Sequence, residues 1–302
     1  MEDAHGLRVF LTVAEELSFT RAGEKMFLTQ SGVSHQVAKL EASLGTRLLI
    51  RQGRNITLTP AGKALQVHAR RVFIALEDAE SAVRLAASPD AGRLRIGASA
   101  TACQYIVPEA LREFRESFPD FSLHITPGDA PEITQGILDG ELDLGIIIRR
   151  DRQPKLKYHD LFTDEIGFLL NPLHPSAKKG KVDREQLMDQ RMILYSRTST
   201  TCRMIEQYFV RMRVPLRDYI ELGSIEAIKE LVKLGLGASL TARWIARPEI
   251  ESGSLVWLHI AGAHMKRVWT IATHIDRELN IAEQTFVGLC KDIGSQIARQ
   301  SR

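Results

Sequence analysis

The chain has 302 residues, 44% of them apolar and 25% charged, the balance of a globular protein of two or three domains, which excludes extensive disorder. Its formal net charge of +3 is too small to make the whole chain a polyanion binder. No apolar run approaches the ~20 residues that span a bilayer, and the opening Met1-Glu2-Asp3 shows neither a basic nor an apolar leader. A cytoplasmic protein with no membrane partner is expected. Cys103, Cys202 and Cys290 are too few and too scattered for a disulfide framework or a CxxC metal site, so no bound metal is expected.

Short helices open the chain. Leu7, Phe10, Leu11, Ala14 and Leu17 recur at helical spacing and predict one buried face. Ser18 suits the N-cap of a second helix in which Phe19, Ala22 and Met26 share a side. Thr29 can cap a third, from about Gln30 to Leu44, stopped by Gly45.

That third helix is the most informative stretch. At 100° per residue Val33, Val37, Leu40 and Leu44 fall within an arc of about 60°, a core stripe. Ser31, Ser34, His35, Ala38 and Ala42 fall on the opposite side. A solvated helix would carry Lys and Glu there. Small hydrogen-bonding groups instead suit a helix that enters a DNA major groove about 12 Å wide.

After Gly45, the run Leu48-Leu49-Ile50, the turn Arg51-Gln52-Gly53-Arg54-Asn55 and the run Ile56 to Leu58 read as strand, tight turn, strand. Residues 21 to 54 hold six basic and two acidic side chains, a net +4 that exceeds the charge of the whole chain. Positive charge thus lies where a phosphate backbone would run. Each feature alone also fits a small helical domain with a solvated face. The capped short helix, the turn, the groove-compatible helix and the basic wing together favour helix-turn-helix.

Thr59-Pro60 pairs a capping residue with proline at the first helical position. From there Leu65, Ala69, Val72, Leu76, Ala79, Val83 and Ala86 are spaced by alternating fours and threes, a coiled-coil stripe on a helix roughly 42 Å long. The helix either pairs with a second copy or packs on its own chain. Pairing is the reading adopted, since it would join two DNA-reading heads.

Beyond the breakers Ser88-Pro89-Asp90-Ala91-Gly92, β-type runs at 94–97, 123–125, 144–148, 166–170 and 192–195 alternate with helical runs at 108–118, 131–139, 200–212 and 225–234. The alternation predicts parallel α/β layers, in which ligands bind beyond the carboxyl ends of strands. Ser99-Ala100-Thr101 and Thr198-Ser199-Thr200-Thr201 each follow a strand and open a helix. Such clusters are anion cradles or plain helix caps. Arg149, just past a strand end, would add positive charge or be an exposed arginine, and Asp129 would reject or orient a ligand or be a loop acid. Cys103 and Cys202 flank the two clusters, as a thiol pair facing across a cleft or as small buried side chains. The motifs GxSxG, HExxH, GxxxxGK[ST] and GxGxxG are absent, so no catalytic residue, no enzyme and no cofactor is expected.

The stretches Phe10 to Glu15, Ser18 to Gly23, Leu28 to Val37, Leu40-Glu41, Leu44-Gly45 and Leu58 to Gly62 resemble, in order and spacing, the winged helix-turn-helix of LysR-type transcriptional regulators. The departures are Ser31-Gly32 where the family commonly has proline and a small residue, Ile50 in place of phenylalanine, and Gly23 in place of alanine. Gly97 to Thr101, Pro108 to Pro119, Gly140 to Ile146, His174-Pro175, Gly223 to Ile228 and Gly235 to Ala238 resemble the family's effector-binding domain. The resemblance implies an α/β multidomain chain: a winged helix-turn-helix over 1–59 with the motif at 18–37, a linker helix over 60–87, and a two-lobed, periplasmic-binding-protein-like domain over 88–302. Lobe I would take 93–162 plus 268–302 and lobe II 163–267. It implies that Thr29, Gln30, Ser31, Ser34, His35, Lys39, Arg51 and Arg54 meet double-stranded DNA. Ser99, Ala100, Thr101, Arg149, Thr200 and Thr201 would meet a small anionic effector. Dimers pairing on into tetramers, with RNA polymerase as a further partner, complete the expectation.

Overall fold

The computed structural model describes residues 4–52, 55–87, 92–182, 187–188, 190–216, 219–260 and 264–300. The chain divides into two compact units, Met1–Ala86 with Asp139–Glu141, and Ala87–Leu138 with Leu142–Arg302. Arg54 of the wing tip and Ser88 to Ala91 of the breaker cluster lie outside the described residues.

The first unit runs α1 (Ala4–Glu16), α2 (Phe19–Met26), α3 (Gln30–Leu44), the antiparallel hairpin β1 (Leu49–Gln52) and β2 (Asn55–Leu58), then α4 (Pro60–Ala87). Local chemistry sets the ends. The hydroxyls of Ser18, Thr29 and Thr59 accept the N–H groups of Arg21, Gly32 and Gly62 at 3.3, 3.1 and 2.9 Å. Gly45 closes α3 at φ +65°, a left-handed conformation that costs glycine nothing. Phe10, Val13, Phe19, Val33, Val37 and Leu48 form the core. A Cβ at Gly62 would stand 2.1 Å from the Leu48 carbonyl oxygen, so only glycine lets the first turn of α4 meet the start of the wing.

Three expectations shift here. Leu17 lies past the end of α1 at φ 47° and is 47% exposed, because the helical repeat stops at Glu16. Leu44 is 39% exposed, since the core stripe of α3 ends at Leu40 where the chain turns out through Gly45. The stripe of α4 also divides. Leu65, Ala69 and Phe73 pack into the core of the same unit, whereas Val72, Leu76 and Val83 are 42%, 50% and 70% exposed. The core covers only the first turns, and the stripe runs on bare.

In the second unit β3 (Arg93–Ala98) lies between β4 (Ser122–Pro127) and β5 (Leu144–Arg149), all parallel. Around them pack α5 (Ala100–Tyr105), α6 (Val107–Ser117) and α7 (Ala130–Leu138). Two long strands, β6 (Leu156–Leu170) and β11 (Met265–His274), then run antiparallel side by side from His274↔Leu156 to Met265↔Ile166, with a register shift between Trp269 and Thr270. These carry the chain between lobes. The second lobe holds β7 (Ile193–Tyr195) paired in parallel with β8 (Ile220–Leu222), while β9 (Ser239–Ala242) and β10 (Val256–Leu258) flank β6. Its helices include α8 (Pro175–Lys179), α9 (Thr200–Arg211), α10 (Ile225–Lys233) and α11 (Arg247–Glu251). The closing helix α12 (Ile281–Gln300) opens on a capping box, Glu283 N–H to Asn280 Oδ1 at 2.9 Å and Asn280 N–H to Glu283 Oε2 at 3.0 Å.

The main sheet is therefore mixed: the expected parallel pairing holds for β3, β4 and β5, while the two long strands and β9 and β10 pair antiparallel. The run expected over 166–170 starts ten residues earlier, at Leu156. Asp160, Asp164 and Glu165 hide that strand from a reading by hydropathy, yet Asp164 is buried because a partner 103 positions away neutralises it.

Candidate nucleic-acid interface and effector cleft

In the first unit α3 buries Val33, Val37 and Leu40 and leaves Gln30, Ser31, His35 and Lys39 exposed, with Ser34 half-buried beside them. Thr29 is first of all a cap, with Ser31 Oγ 3.1 Å from its hydroxyl. Arg51 does not reach straight outward. Its guanidinium lies 4.1 Å over the Phe19 ring and donates to Ser34 Oγ at 3.0 Å. Guanidinium has no acceptor, so the Ser34 proton is left to point elsewhere. Glu41 was counted only as a charge, but its Oε1 accepts the N–H groups of Leu48 and Leu49 at 2.7 and 3.2 Å and fastens the wing to α3. A carboxylate one turn before a helix stop, followed by a strand, was the available signal. The basic count also shrinks. Lys25 pairs with Glu16 at 3.0 Å and Arg21 at 3.4 Å, and the Lys25 hydrogen bond holds the Glu16 carboxyl below its usual range.

In the second unit the hydroxyl clusters come together. Ser99, Ala100 and Thr101 from one lobe and Thr200 and Thr201 from the other line a cleft with about 520 Å³ of free space, counting its open mouth. Ile147, Ile148 and Tyr195 supply apolar wall, and Asp129 lines it from the loop between β4 and α7. The first cluster opens a helix of only six residues, α5, whereas the second opens the twelve-residue α9, whose N-cap Ser199 accepts the Cys202 N–H at 3.1 Å.

Arg149 is the departure. It lies on the same strand as the isoleucines of the wall but turns across the sheet to Asp160 at 2.7 Å, with Tyr158 beneath it, and does not line the cleft. Cys103 and Cys202 do not line it either. Cys103 donates to the Ala98 carbonyl and Cys202 contacts Tyr219 Oη at 3.7 Å, while burial pushes both thiols up, the opposite of a poised thiolate.

Beneath the cleft lies a buried polar network that sequence reading missed. Arg267, 1% exposed, donates Nε to Asp164 Oδ1 at 2.8 Å and Nη2 to Oδ2 at 2.5 Å, and its Nη1 reaches Thr201 Oγ1 at 2.8 Å. The indole N–H groups of Trp244 and Trp269 also donate to Asp164 Oδ2, at 2.8 and 3.0 Å. Tyr195 Oη meets Thr241 Oγ1 at 2.7 Å in the same layer. No local pattern announces these residues, which meet only across β6, β11 and the turn after β9. Two polar bridges also join the lobes beside the cleft. Thr198 donates to Asp129, and Gln104 (2.9 Å) and Tyr105 donate to Glu226, itself 2.8 Å from the buried Lys229. Burial pushes the Glu226 carboxyl up, but the hydrogen bonds from Lys229 and Tyr105 outweigh it and hold the group below its usual range.

Among the described residues no helix is long and apolar enough to cross a membrane. Residues 5–63 match the family described as bacterial regulatory helix-turn-helix protein, lysR family, and residues 87–294 match the LysR substrate binding domain. The probable RuBisCO transcriptional regulator of Thalassiosira pseudonana is 31% identical over 288 residues, 93% of this chain and 94% of the relative. Full-length OxyR from Pseudomonas aeruginosa, at 24% identity, shares the fold with a TM-score of 0.69 over 100% of this chain and 98% of its own. Full-length CbnR, solved in complex with its target DNA, does so at 21% identity with a TM-score of 0.66 over 99% and 100%. A helical head with a polar exposed face on α3, followed by a hydroxyl-lined two-lobed domain, thus matches this family along almost its whole length, and the chain belongs to the LysR family of DNA-binding transcriptional regulators with an effector-binding domain.

Proposed function

We propose that this regulator reads a two-part operator as a dimer and answers to a small anionic metabolite held between the lobes of its second unit. The observation that carries the DNA half is the exposed face of α3. Gln30, Ser31, Ser34 and His35 sit on the side away from the core, as base-edge and phosphate contacts require. Lys39 and Arg51, with Arg54 at the wing tip, are assigned to phosphate and the flanking groove. The bare stripe of Val72, Leu76, Ala79 and Val83 supports pairing of α4 with a second copy, since an exposed apolar seam at coiled-coil spacing is covered by its like. Further pairing into tetramers, contact with RNA polymerase and a cytoplasmic location follow the same family reading.

The effector half rests on five hydroxyl-cluster residues, Ser99, Ala100, Thr101, Thr200 and Thr201, brought to one cleft from two lobes. A ligand that prefers one lobe arrangement shifts the dimer toward it, and differential affinity for the two arrangements is all it must supply. The chain acts by binding alone, with no cofactor and no turnover. Footprinting of DNA sites selected by the purified full-length protein, at stated salt, tests the reading. Two dyad-related half-sites are expected, and a metabolite fraction that alters the footprint of the native protein should not alter that of Thr101→Val. A single unpaired site, or turnover of the ligand, would overturn it.

A further inference from the structure

The cleft has a fixed hydrogen-bonding polarity. At its floor, Thr201 is 4% exposed and its oxygen accepts from Arg267 Nη1 at 2.8 Å. Arginine cannot accept, so the Thr201 proton must be offered to something else, and the free space beside Thr201 is the cleft. Arg267 itself contributes little net charge there, because both oxygens of Asp164 bind it and two indoles hold that carboxylate in place. Asp129, half-buried, supplies the opposite role. Asp129 is the one carboxylate among the residues lining the cleft, and they include no lysine, arginine or histidine. Glu132 Oε2 accepts the Asp129 N–H at 3.0 Å, and the Asp129 side chain reaches across to accept from Thr198 of the other lobe. One end of the site is a donor by construction and the other an acceptor.

We infer that the effector is a small carboxylate that also carries a hydroxyl or ammonium group. Its carboxylate sits on the Thr201 hydroxyl, its donor group sits on Asp129, and Arg267 is the positioning residue that sets the polarity of Thr201. A plain dicarboxylate would bring its second negative charge against Asp129 in a confined space, where like charges are costly. A donor at that position takes over the bond that Asp129 makes to Thr198. This deepens the effector reading above and rests on it.

Trp244 and Trp269, both bonded to Asp164, provide an intrinsic emission signal at the floor. The full-length protein is titrated with propionate, lactate and alanine, then with butyrate, 3-hydroxybutyrate and 3-aminobutyrate, triplets that carry one carboxylate and differ only in the donor at one carbon, with succinate and glutarate as the plain dicarboxylates. In at least one triplet a donor-bearing member is expected to bind about tenfold or more tighter than its parent acid and than either dicarboxylate, the scale of one hydrogen bond to a charged group. Asp129→Asn should cut that preference to about twofold, because an amide tolerates either partner. Thr201→Val should lose carboxylate binding and Thr201→Ser restore it. The double change Asp164→Asn with Arg267→Gln frees the Thr201 proton to turn inward, so the carboxylate should bind about tenfold more weakly at an unchanged donor preference. Should the double variant not fold, the valine and serine pair decides the floor. Parent acids or plain dicarboxylates that bind as well as the donor-bearing members, an undiminished preference in Asp129→Asn, or silence from both triplets would each overturn the inference. The cleft reading itself falls separately, on an unaltered metabolite response in Thr101→Val.

Discussion

Two arginine–hydroxyl pairs stand at the two candidate sites of this protein. Arg51 donates to Ser34 at 3.0 Å in the DNA-reading head, and Arg267 donates to Thr201 at 2.8 Å in the effector domain. Each arginine occupies the acceptor side of a hydroxyl, but the first guanidinium is exposed and the second is buried. In water the guanidinium can exchange Ser34 for another partner at little cost, as the phosphate role proposed for Arg51 requires. In the core Arg267 is held by Asp164 and two indoles, and the same chemistry becomes a rigid template.

Removing each arginine separates the two roles most sharply. Arg267→Ala leaves Asp164 buried and uncompensated and is expected to cost about 3–5 kcal/mol of stability by denaturant unfolding. Arg51→Ala should lie within about 0.5 kcal/mol of the native chain, while its operator affinity falls and its salt dependence weakens. Equal stability losses would erase the distinction. Next in size, Leu76→Glu with Val83→Glu places charge on the bare seam of α4. Sedimentation should then show monomers, and operator affinity should drop by roughly 100-fold or more as the second head is lost. Ser34→Ala with His35→Ala should remove about 1–3 kcal/mol of discrimination between operator and random DNA, with the unfolding midpoint retained.

The smallest expected effect is one of pH. Burial lifts the Glu283 carboxyl above its usual range, against the pull of Arg277 and the Asn280 N–H. A raised folded value means that the folded chain holds this proton more readily than the unfolded chain. Its stabilising contribution is complete below the unfolded value near about 4.3 and is lost as pH rises through the folded value. Glu283→Gln, which still serves the capping box, should flatten that part of the stability profile. An unchanged profile would show that Arg277 already compensates the burial.

How much could be read beforehand follows the range of each interaction. The caps at Ser18, Thr29 and Thr59, the stop at Gly45 and the core face of α3 as far as Leu40 involve partners within a few residues, and they stand as the spacing predicts. The two hydroxyl clusters were legible for the same reason. Arg149 was misjudged because its partner Asp160 lies across the neighbouring strand. The stripe of α4 was legible as a stripe, but not where its cover ends, since that depends on how far the core of the unit extends.

Local order along the chain thus determined the recognition helix, the wing, the long helix and the candidate hydroxyls. Each depends on periodicity, capping or backbone freedom, which act over three or four residues. Tertiary structure alone decided which partners the candidate hydroxyls and carboxylates meet. Asp164 and Arg267 are 103 positions apart, and Thr198 and Asp129 are 69 apart. A hydroxyl accepts and donates alike until a neighbour claims one of those roles, and here the neighbour arrives only when distant strands are laid side by side.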